Sequence, residues 1–341
     1  MTDAGEQIEA VRKDWGPRLL ILGHQYQDPA VLRHADVIGD SLELSRQAGA
    51  SAAERIVFCG VHFMAESADI LTGPDQTVYM PDASAGCPMA DMADAYRVEK
   101  AWQTIPLDSS GWVPVAYVNS SAALKAFCGR QGGSTCTSSN ATRVFQWVFG
   151  QNKRVFFLPD KHLGDNTAFD LGVPDDTVAT YDPRQPDGGL PRNAAATARV
   201  IVWNGFCPIH VVFTVDQVKA IRQAEPGAKI IVHPEAPKEV VRLCDAHGST
   251  AQIIQYVQKA APGATVYVGT EAHLVKRLAE EHRARGVTVK LLRHSVCPNM
   301  AKTNESNLLT VLRDWPERNV IHVPAHVAAE ARLALERMLR L

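Results

Sequence analysis

The sequence lacks long apolar runs and any excess of basic residues. No stretch of its 341 residues approaches the roughly 18 consecutive apolar residues of a membrane span. Its 35 basic and 37 acidic residues give a formal net charge of −2, so the chain offers no basic field to a nucleic acid. These absences exclude a helical membrane protein and argue against a nucleic-acid-binding protein.

A secretory signal is also absent, because the polar first residues carry neither a basic start nor an apolar segment. Seven cysteines, an odd number at wide spacing, are typical of reduced thiols rather than of a disulfide framework. We therefore expect a cytoplasmic protein. The composition, 46% apolar and 21% charged, is ordinary for a globular chain of two or three domains.

Three of the cysteines share a sequence pattern. Cys87, Cys207 and Cys297 each precede a proline and each follow an apolar run that predicts a buried strand. They are 120 (207 − 87) and 90 (297 − 207) residues apart, which suits neither a local zinc finger nor a C-x-x-C pair. Core packing is the better interpretation for the other four, Cys59, Cys128, Cys136 and Cys244.

Strands alternate with helices in a pattern that occurs three times along the chain. Such alternation predicts parallel sheets covered by helices. We predict an α/β fold of three similar domains, each a parallel four-stranded sheet flanked by helices, related by a pseudo-threefold axis around a central cavity. The predicted boundaries are 1–104 (with the N-terminal helix), 105–222, 223–315, and a closing C-terminal helix within 316–341.

Polar residues gather at the predicted strand ends and helix starts, where ligands of parallel sheets bind. Backbone N–H groups at a helix start attract anions, so three equivalent starts indicate a multiply anionic ligand, although N-capping is the alternative for any single hydroxyl. The strand-end candidates are His24, Tyr26, Tyr117, Asn119, His210, His233 and Glu235. The helix-start candidates are Ser41, Ser138, Ser249 and Thr250.

The three strand-end thiols suggest a metal centre. Three thiolates can bind three irons of a [4Fe–4S] cluster and leave the fourth iron open to substrate as a Lewis acid. Zinc bound by three cysteines is the competing interpretation, but the sequence lacks nearby histidines at the spacing of zinc modules.

In order and spacing, the motifs resemble those of the quinolinate synthase family over nearly the whole chain. The matching segments are GHQYQ, GDSLELSR, AGCPMADM, YVNSSAALKA, TSSNA, FLPDKHLG, GFCPIHVVFT, IVHPEA, GSTAQII and CPNM. The resemblance implies a transferase of NAD biosynthesis that condenses iminoaspartate with dihydroxyacetone phosphate, releasing phosphate and two waters. It also implies that Cys87, Cys207 and Cys297 bind a [4Fe–4S] cluster, and that L-aspartate oxidase or aspartate dehydrogenase supplies iminoaspartate.

Carried over by the same resemblance, Tyr26, His233 and Glu235 are the expected catalytic residues. The implied substrate-binding residues are His24, Ser41, Tyr117, Asn119, Ser138, His210, Ser249 and Thr250. Where many relatives have a cysteine after the HPE motif, this chain has Ala236. We expect the pKa of Glu235 to be raised, because anionic substrates and a cluster would lie beside it, and a raised pKa would suit proton transfer; a structural role near Pro234 is the alternative.

Two other classes of function compete with this interpretation. A cluster-based sensor could use the same cysteines, but the chain shows no basic patch or recognition motif for a nucleic acid. An aconitase-like hydro-lyase would need fewer polar groups than Tyr26, Tyr117, His233 and Glu235 together provide.

Overall fold

A computed structural model describes residues 3–105, 111–190 and 193–341. In it, short β-branched runs form strands, and helices between them return the chain to the same end of each sheet. The result is three separate sheets, each made mainly of strands that are neighbours in the sequence. The α/β prediction, with parallel sheets flanked by helices, is confirmed.

The elements around the first sheet are α1 (Asp3–Trp15), β1 (Leu19–His24), α2 (Pro29–Leu32), β2 (Val37–Gly39), α3 (Ser41–Ala50), β3 (Arg55–Cys59), α4 (His62–Leu71), β4 (Thr77–Tyr79), α5 (Pro88–Asp91) and α6 (Ala95–Thr104). Those around the second are β5 (Trp112–Tyr117), α7 (Ala122–Arg130), β6 (Ser134–Cys136), α8 (Ala141–Phe149), β7 (Arg154–Leu158), α9 (Lys161–Asp170), β8 (Val178–Tyr181), α10 (Ala194–Thr197), β9 (Val200–Trp203) and α11 (Val215–Ala224).

Those around the third are β10 (Lys229–Val232), α12 (Lys238–Val241), β11 (Ala246–His247), α13 (Thr250–Gln258), β12 (Thr265–Gly269), α14 (Ala272–Arg283), β13 (Thr288–Leu291) and α15 (Glu305–Asp314). The chain continues with β14 (Val320–Ile321) and α16 (Ala325–Arg340). Short 3₁₀ helices occupy Gly16–Arg18, Asp175–Thr177, Pro186–Gly189, Met300–Lys302 and Glu317–Asn319.

All three sheets place their strands in the same order. We call each sheet with its helices a unit. In each unit, the first strand along the chain lies between the second and the third. The strand that leads to a Cys-Pro dipeptide lies on the other side of the third strand. The shared orders are β4-β3-β1-β2, β9-β7-β5-β6 and β13-β12-β10-β11, with all these neighbours parallel. One supersecondary unit therefore occurs three times, as internal repetition requires.

Two additional strands change the predicted strand count. Strand β8 pairs with β9 at the edge of the second sheet, and β14 pairs antiparallel with β4 at the edge of the first. The prediction of four strands is right for the third sheet, whereas the first and second have five.

The C-terminal helix α16 packs on α7, β6 and α4, and so joins the first two units. Its buried face includes Ala331, Leu335 and Met338. The approach to α7 is close at Gly129, where a Cβ atom would lie 1.9 Å from the Glu330 carbonyl oxygen. Only glycine fits such a contact.

Within the described residues, no helix is both long and apolar enough to cross a membrane.

Candidate functional site

The carboxyl ends of the three sheets open onto one cavity. Three cysteines, ten other predicted residues and several apolar side chains line it. The predicted residues found there are His24, Tyr26, Ser41, Cys87, Tyr117, Asn119, Ser138, Cys207, His210, His233, Glu235, Thr250 and Cys297. The fold therefore brings together side chains that are up to 273 (297 − 24) residues apart in the sequence.

Each cavity cysteine begins a turn whose backbone N–H groups point at its own sulfur. The donors lie two or three residues further on: Met89 and Ala90 for Cys87, Ile209 for Cys207, and Asn299 and Met300 for Cys297. The intervening proline has no N–H group and favours the start of such a turn. The Cys-Pro dipeptide is thus a local device that directs N–H groups toward a thiolate.

The three thiols are partly exposed where they line the cavity. The surrounding protein nevertheless desolvates them, which raises the pKa of Cys87 to about 12 and the pKa values of Cys207 and Cys297 above their usual range. Negative charge on Cys87 would also raise the pKa of Cys207, so the thiols are near enough to interact. A nearby cation would be needed to hold all three as thiolates.

One group of donors in the cavity could hold a single metal ion. Among the described residues, ligand atoms of Cys207, His210 and Glu235 lie within 4.8 Å of one another. Zinc binds all three of these residue types. A cluster instead distributes cysteines over several irons, so the three thiols of the cavity are a second possible donor set.

Glu235 lies at the centre of a buried hydrogen-bond network. Its carboxylate accepts a hydrogen bond from the Tyr117 hydroxyl at 2.6 Å, and its other oxygen lies 2.8 Å from His210 Nδ1. Further along, Thr270 Oγ1 lies 3.1 Å from His210 Nε2 and 2.8 Å from the Tyr26 hydroxyl. The network joins residues from all three sheets.

His24 and His233 share one local geometry in two different units. The Nδ1 atom of His24 accepts the Tyr26 N–H at 3.2 Å, and the Nδ1 atom of His233 accepts the Glu235 N–H at 3.3 Å. Burial lowers the pKa of His24 to about 4 and that of His233 to about 3. Both rings are therefore neutral near pH 7, with Nε2–H left as the donor to a ligand.

Hydrogen-bond donors surround Glu235 and shift its pKa. Burial by itself raises this pKa, but attraction to His210 and the hydrogen bonds donated by His210 and Tyr117 lower it below its usual range. The raised pKa that we expect beside anionic substrates and a cluster stays a prediction for the loaded site. Glu235 is a carboxylate near neutral pH and can accept a proton.

The three helix starts differ from one another. Asp40, and not Ser41, caps α3 by accepting the N–H groups of Leu42 and Glu43. The Ser249 side chain caps α13, with a capping box that includes Gln252, and Ser249 is not among the residues that line the cavity. Ser249 therefore has the capping role that is the alternative for any single hydroxyl at a helix start, and its role in substrate binding stays a prediction.

The third helix start, that of α8, follows Ser138 and carries no hydrogen bond from a side-chain cap at Asn140. The Ala141 N–H donates to the Thr137 carbonyl oxygen at 2.9 Å, and anion binding at the rest of this helix start stays a prediction. Thr250, at the start of α13, is in the cavity and donates its hydroxyl to the Tyr26 oxygen at 3.2 Å.

Sequence reasoning missed several residues of the site. Asp40 and Thr137 line the cavity. The Thr270 hydroxyl lies within hydrogen-bond distance of both Tyr26 and His210. Asn166 donates a hydrogen bond to the Pro234 carbonyl oxygen of the HPE motif and is not among the residues that line the cavity. A signal existed for Thr270, because it follows the strand β12 just as His24 and Tyr117 end theirs. No sequence signal marked Asn166, which lies in the middle of helix α9.

The fold and the cavity define an α/β protein with a thiol-lined site that contains a buried hydrogen-bond network. The sequence model of the family described as "Quinolinate synthetase A protein" matches residues 6–340. The chain is 47% identical to the quinolinate synthase of Geobacillus thermodenitrificans, over 98% of this chain and 92% of that protein.

It is also 45% identical to the quinolinate synthase of Streptomyces coelicolor (99% and 88% covered) and 44% identical to that of Rhodopirellula baltica (98% and 90% covered). The chain belongs to the quinolinate synthase family and is an enzyme of that type. This membership decides against the sensor and the aconitase-like hydro-lyase.

Asn166 gives a prediction about how the HPE motif is held. Its Nδ2 donates to the carbonyl oxygens of Pro234 at 2.7 Å and Ala236 at 3.0 Å, on either side of Glu235. We expect Asn166→Ala to cost about 2 kcal/mol of unfolding free energy, because two buried acceptors lose their donor. We also expect weaker quinolinate binding, because Glu235 is no longer fixed.

Asn319 provides a matched control. Its Nδ2 donates to Met80 and Pro81 carbonyl oxygens in the same way, at 2.7 and 3.1 Å, and it is not among the cavity residues. Urea unfolding should show a similar loss of stability for Asn319→Ala, and calorimetry should show unchanged quinolinate affinity. Equal effects of the two variants on affinity would contradict the special role of Asn166.

Proposed function

We propose that this chain forms quinolinate by condensing iminoaspartate with dihydroxyacetone phosphate, with release of phosphate and two waters. One observation carries the proposal: three thiols and the buried Glu235 network line the same cavity. The threefold repetition of sheet order supports a pseudo-threefold arrangement of domains 1–104, 105–222 and 223–315 around this cavity.

In this proposal Cys87, Cys207 and Cys297 hold a [4Fe–4S] cluster. The donor set fits, because three soft thiol ligands line one cavity and backbone N–H groups are directed at each sulfur. When bound, the cluster would supply an iron without a protein ligand as a Lewis acid for a departing hydroxyl. Because the proposal requires reduced thiols, it also places the protein in the cytoplasm.

Neutral donors bind the substrates, which carry two carboxylates and one phosphate. Several groups offer hydrogen bonds without adding formal charge to the cavity. They are the Nε2–H groups of His24 and His233, the hydroxyls of Ser41 and Ser138, and the start of α8, which has no side-chain cap. Asn119 Oδ1 accepts no hydrogen bond within the described part of the chain, so it is free to accept one from a substrate amine or hydroxyl. These groups orient both substrates before bonds form.

Proton transfer falls to Glu235 and Tyr26, and His233 orients the substrate beside them. Glu235 is a carboxylate near neutral pH and acts as the base, whereas burial raises the pKa of Tyr26 and keeps its phenol protonated. Apolar side chains that include Phe63, Met64 and Met89 line the rest of the cavity and exclude water from the unstable imine.

The proposal predicts a functional link to an enzyme that makes iminoaspartate, either L-aspartate oxidase or aspartate dehydrogenase. The test is an anaerobic assay with purified iron-loaded protein, iminoaspartate and dihydroxyacetone phosphate, read by chromatography of quinolinate. Quinolinate and phosphate should form in equal amounts. An iron-loaded protein that consumes neither substrate would refute the proposal.

Oxygen gives a further prediction. We expect air to remove iron and activity together, because an iron without a thiolate ligand is open to oxidants as well as to substrate. Iron content and quinolinate formation should be followed in the same air-exposed sample, with an anaerobic sample as the control. Activity that persists after the iron has gone would show that the metal has no catalytic role.

A further inference from the structure

No lysine or arginine of the described residues lines the central cavity, although the proposed ligands are anionic. The substrates carry two carboxylates and one phosphate, and metal-bound cysteines add the negative charge of their thiolates. Burial keeps two of the cavity histidines, His24 and His233, neutral near pH 7. Because anions in a low-dielectric site are stabilised by a nearby cation, the positive charge must come from outside the lining.

Lys125 lies behind one wall of this cavity. It is on α7 and, among the described lysines and arginines, it is the one that is buried, with a relative exposure of 0%. Its Nζ atom donates to the Ser120 carbonyl oxygen at 2.5 Å and to the Phe63 carbonyl oxygen at 3.5 Å. Phe63 and Asn119, the residue before Ser120, line the cavity, whereas Lys125 does not. The lysine therefore holds two segments of the wall from outside.

The same wall leads to Cys87. Phe63 is in the first turn of α4, and the His62 N–H of that turn donates to the Ala85 carbonyl oxygen at 2.8 Å. The Nζ atom of Lys125 lies 5.6 Å from the centre of the Phe63 ring. Negative charge on Cys87 acts on Lys125 and favours its protonated form, so the charge of the lysine reaches the cavity.

The ammonium group of Lys125 forms no ion pair within the described part of the chain. Glu66, the carboxylate whose charge acts on it most strongly, instead accepts the Ala122 N–H at 3.1 Å, at the start of α7. Burial lowers the pKa of Lys125 to about 8, so the amine still carries its proton near pH 7. A buried charge that is held by backbone carbonyls is costly, and an apolar side chain would fill the same space at lower cost.

We propose that Lys125 supplies the positive charge that attracts the carboxylates of substrate and product into this cavity; this inference rests on the proposed function. A charge acts over a longer distance than a hydrogen bond does, and its field is strong across apolar side chains such as Phe63. Lys125 therefore attracts every anion in the cavity without contact. Neutral donors and acceptors such as Asn119 are left to orient the ligand.

The test measures quinolinate binding by calorimetry in iron-loaded Lys125→Met and Lys125→Gln. Methionine fills the space without charge, and glutamine keeps an N–H donor for the Ser120 carbonyl oxygen. We expect both variants to bind quinolinate on the order of tenfold more weakly than the parent protein, because both lack the charge. Each variant is a sufficient test if the other does not fold.

A ligand with one carboxylate separates the charge of Lys125 from its contacts. Pyridine-2-carboxylate has one carboxylate where quinolinate has two, so its affinity should fall only about threefold. Displacement of the Asn119 turn would instead weaken both ligands by the same factor. That result would overturn the inference, as would a methionine or glutamine variant that binds quinolinate with the parent affinity.

Arg332→Met is the matched control. Arg332 on α16 also donates to two backbone carbonyl oxygens, those of Leu71 at 3.3 Å and Thr72 at 3.0 Å, and it is not among the cavity residues. It should leave the affinity for both ligands unchanged. A parent protein that neither binds nor forms quinolinate would instead refute the proposed function, and the role of Lys125 with it.

Discussion

Cys207→Ser is expected to lose the bound iron, the brown absorption and quinolinate formation together. Cys207 is one of three thiols in the cavity, and a serine hydroxyl is a far weaker ligand for iron than a thiolate. Its sulfur also lies within 4.8 Å of donor atoms of His210 and Glu235, so its loss removes a proposed ligand beside the buried hydrogen-bond network. Cys87→Ser and Cys297→Ser should behave alike.

The control for this experiment is Cys244→Ser. Cys244 is also a partly exposed free thiol, but it follows α12 and is not among the cavity residues. Iron and sulfide analysis with the visible absorption spectrum of anaerobic protein decides the outcome. Full iron content in Cys207→Ser would overturn the ligand assignment, as would complete iron loss in Cys244→Ser.

Glu235→Gln is expected to lower kcat on the order of a hundredfold or more, while iron content and quinolinate binding are retained. Glutamine keeps the shape but cannot take up a proton. It also brings an NH₂ group into a site where Tyr117 and His210 both donate. His210 can adapt by moving its hydrogen to Nε2, so the fold should tolerate the change.

Glu239→Gln, an exposed carboxylate on α12 four residues further along, is the matched control and should retain the parent rate. Calorimetry of quinolinate binding separates loss of chemistry from loss of binding. A Glu235→Gln variant with full iron that makes quinolinate at the parent rate would transfer the role of base to Tyr26 or to a bound water.

The sequence predicted the α/β class and most of the cavity because both depend on patterns repeated three times. A buried strand followed by a polar residue or a Cys-Pro dipeptide is visible wherever it occurs, and parallel strands bring such residues to one edge. The short second strands β2, β6 and β11 were not predicted. They have only two or three residues, too few for a periodic pattern.

Side-chain hydrogen bonds could not be predicted from the sequence, whether they lie within a unit or between units. Asp40 and Ser41 are adjacent, and nothing in the local sequence shows which of them caps α3. The pKa of Glu235 depends on His210 and Tyr117, which are 25 and 118 residues away in the chain. Thr270 and Asn166 act through partners in other units, so their importance emerges only when the three sheets are assembled.

The central claim is that three cysteines from three repeated units hold one iron–sulfur cluster on which quinolinate formation depends. The direct test is a series of anaerobic samples reconstituted to different extents, each analysed for iron, sulfide and quinolinate formed per chain. The account predicts that the rate rises in proportion to iron and reaches its maximum at about four iron and about four sulfide per chain. A full rate at one metal ion per chain, or without iron, would contradict it.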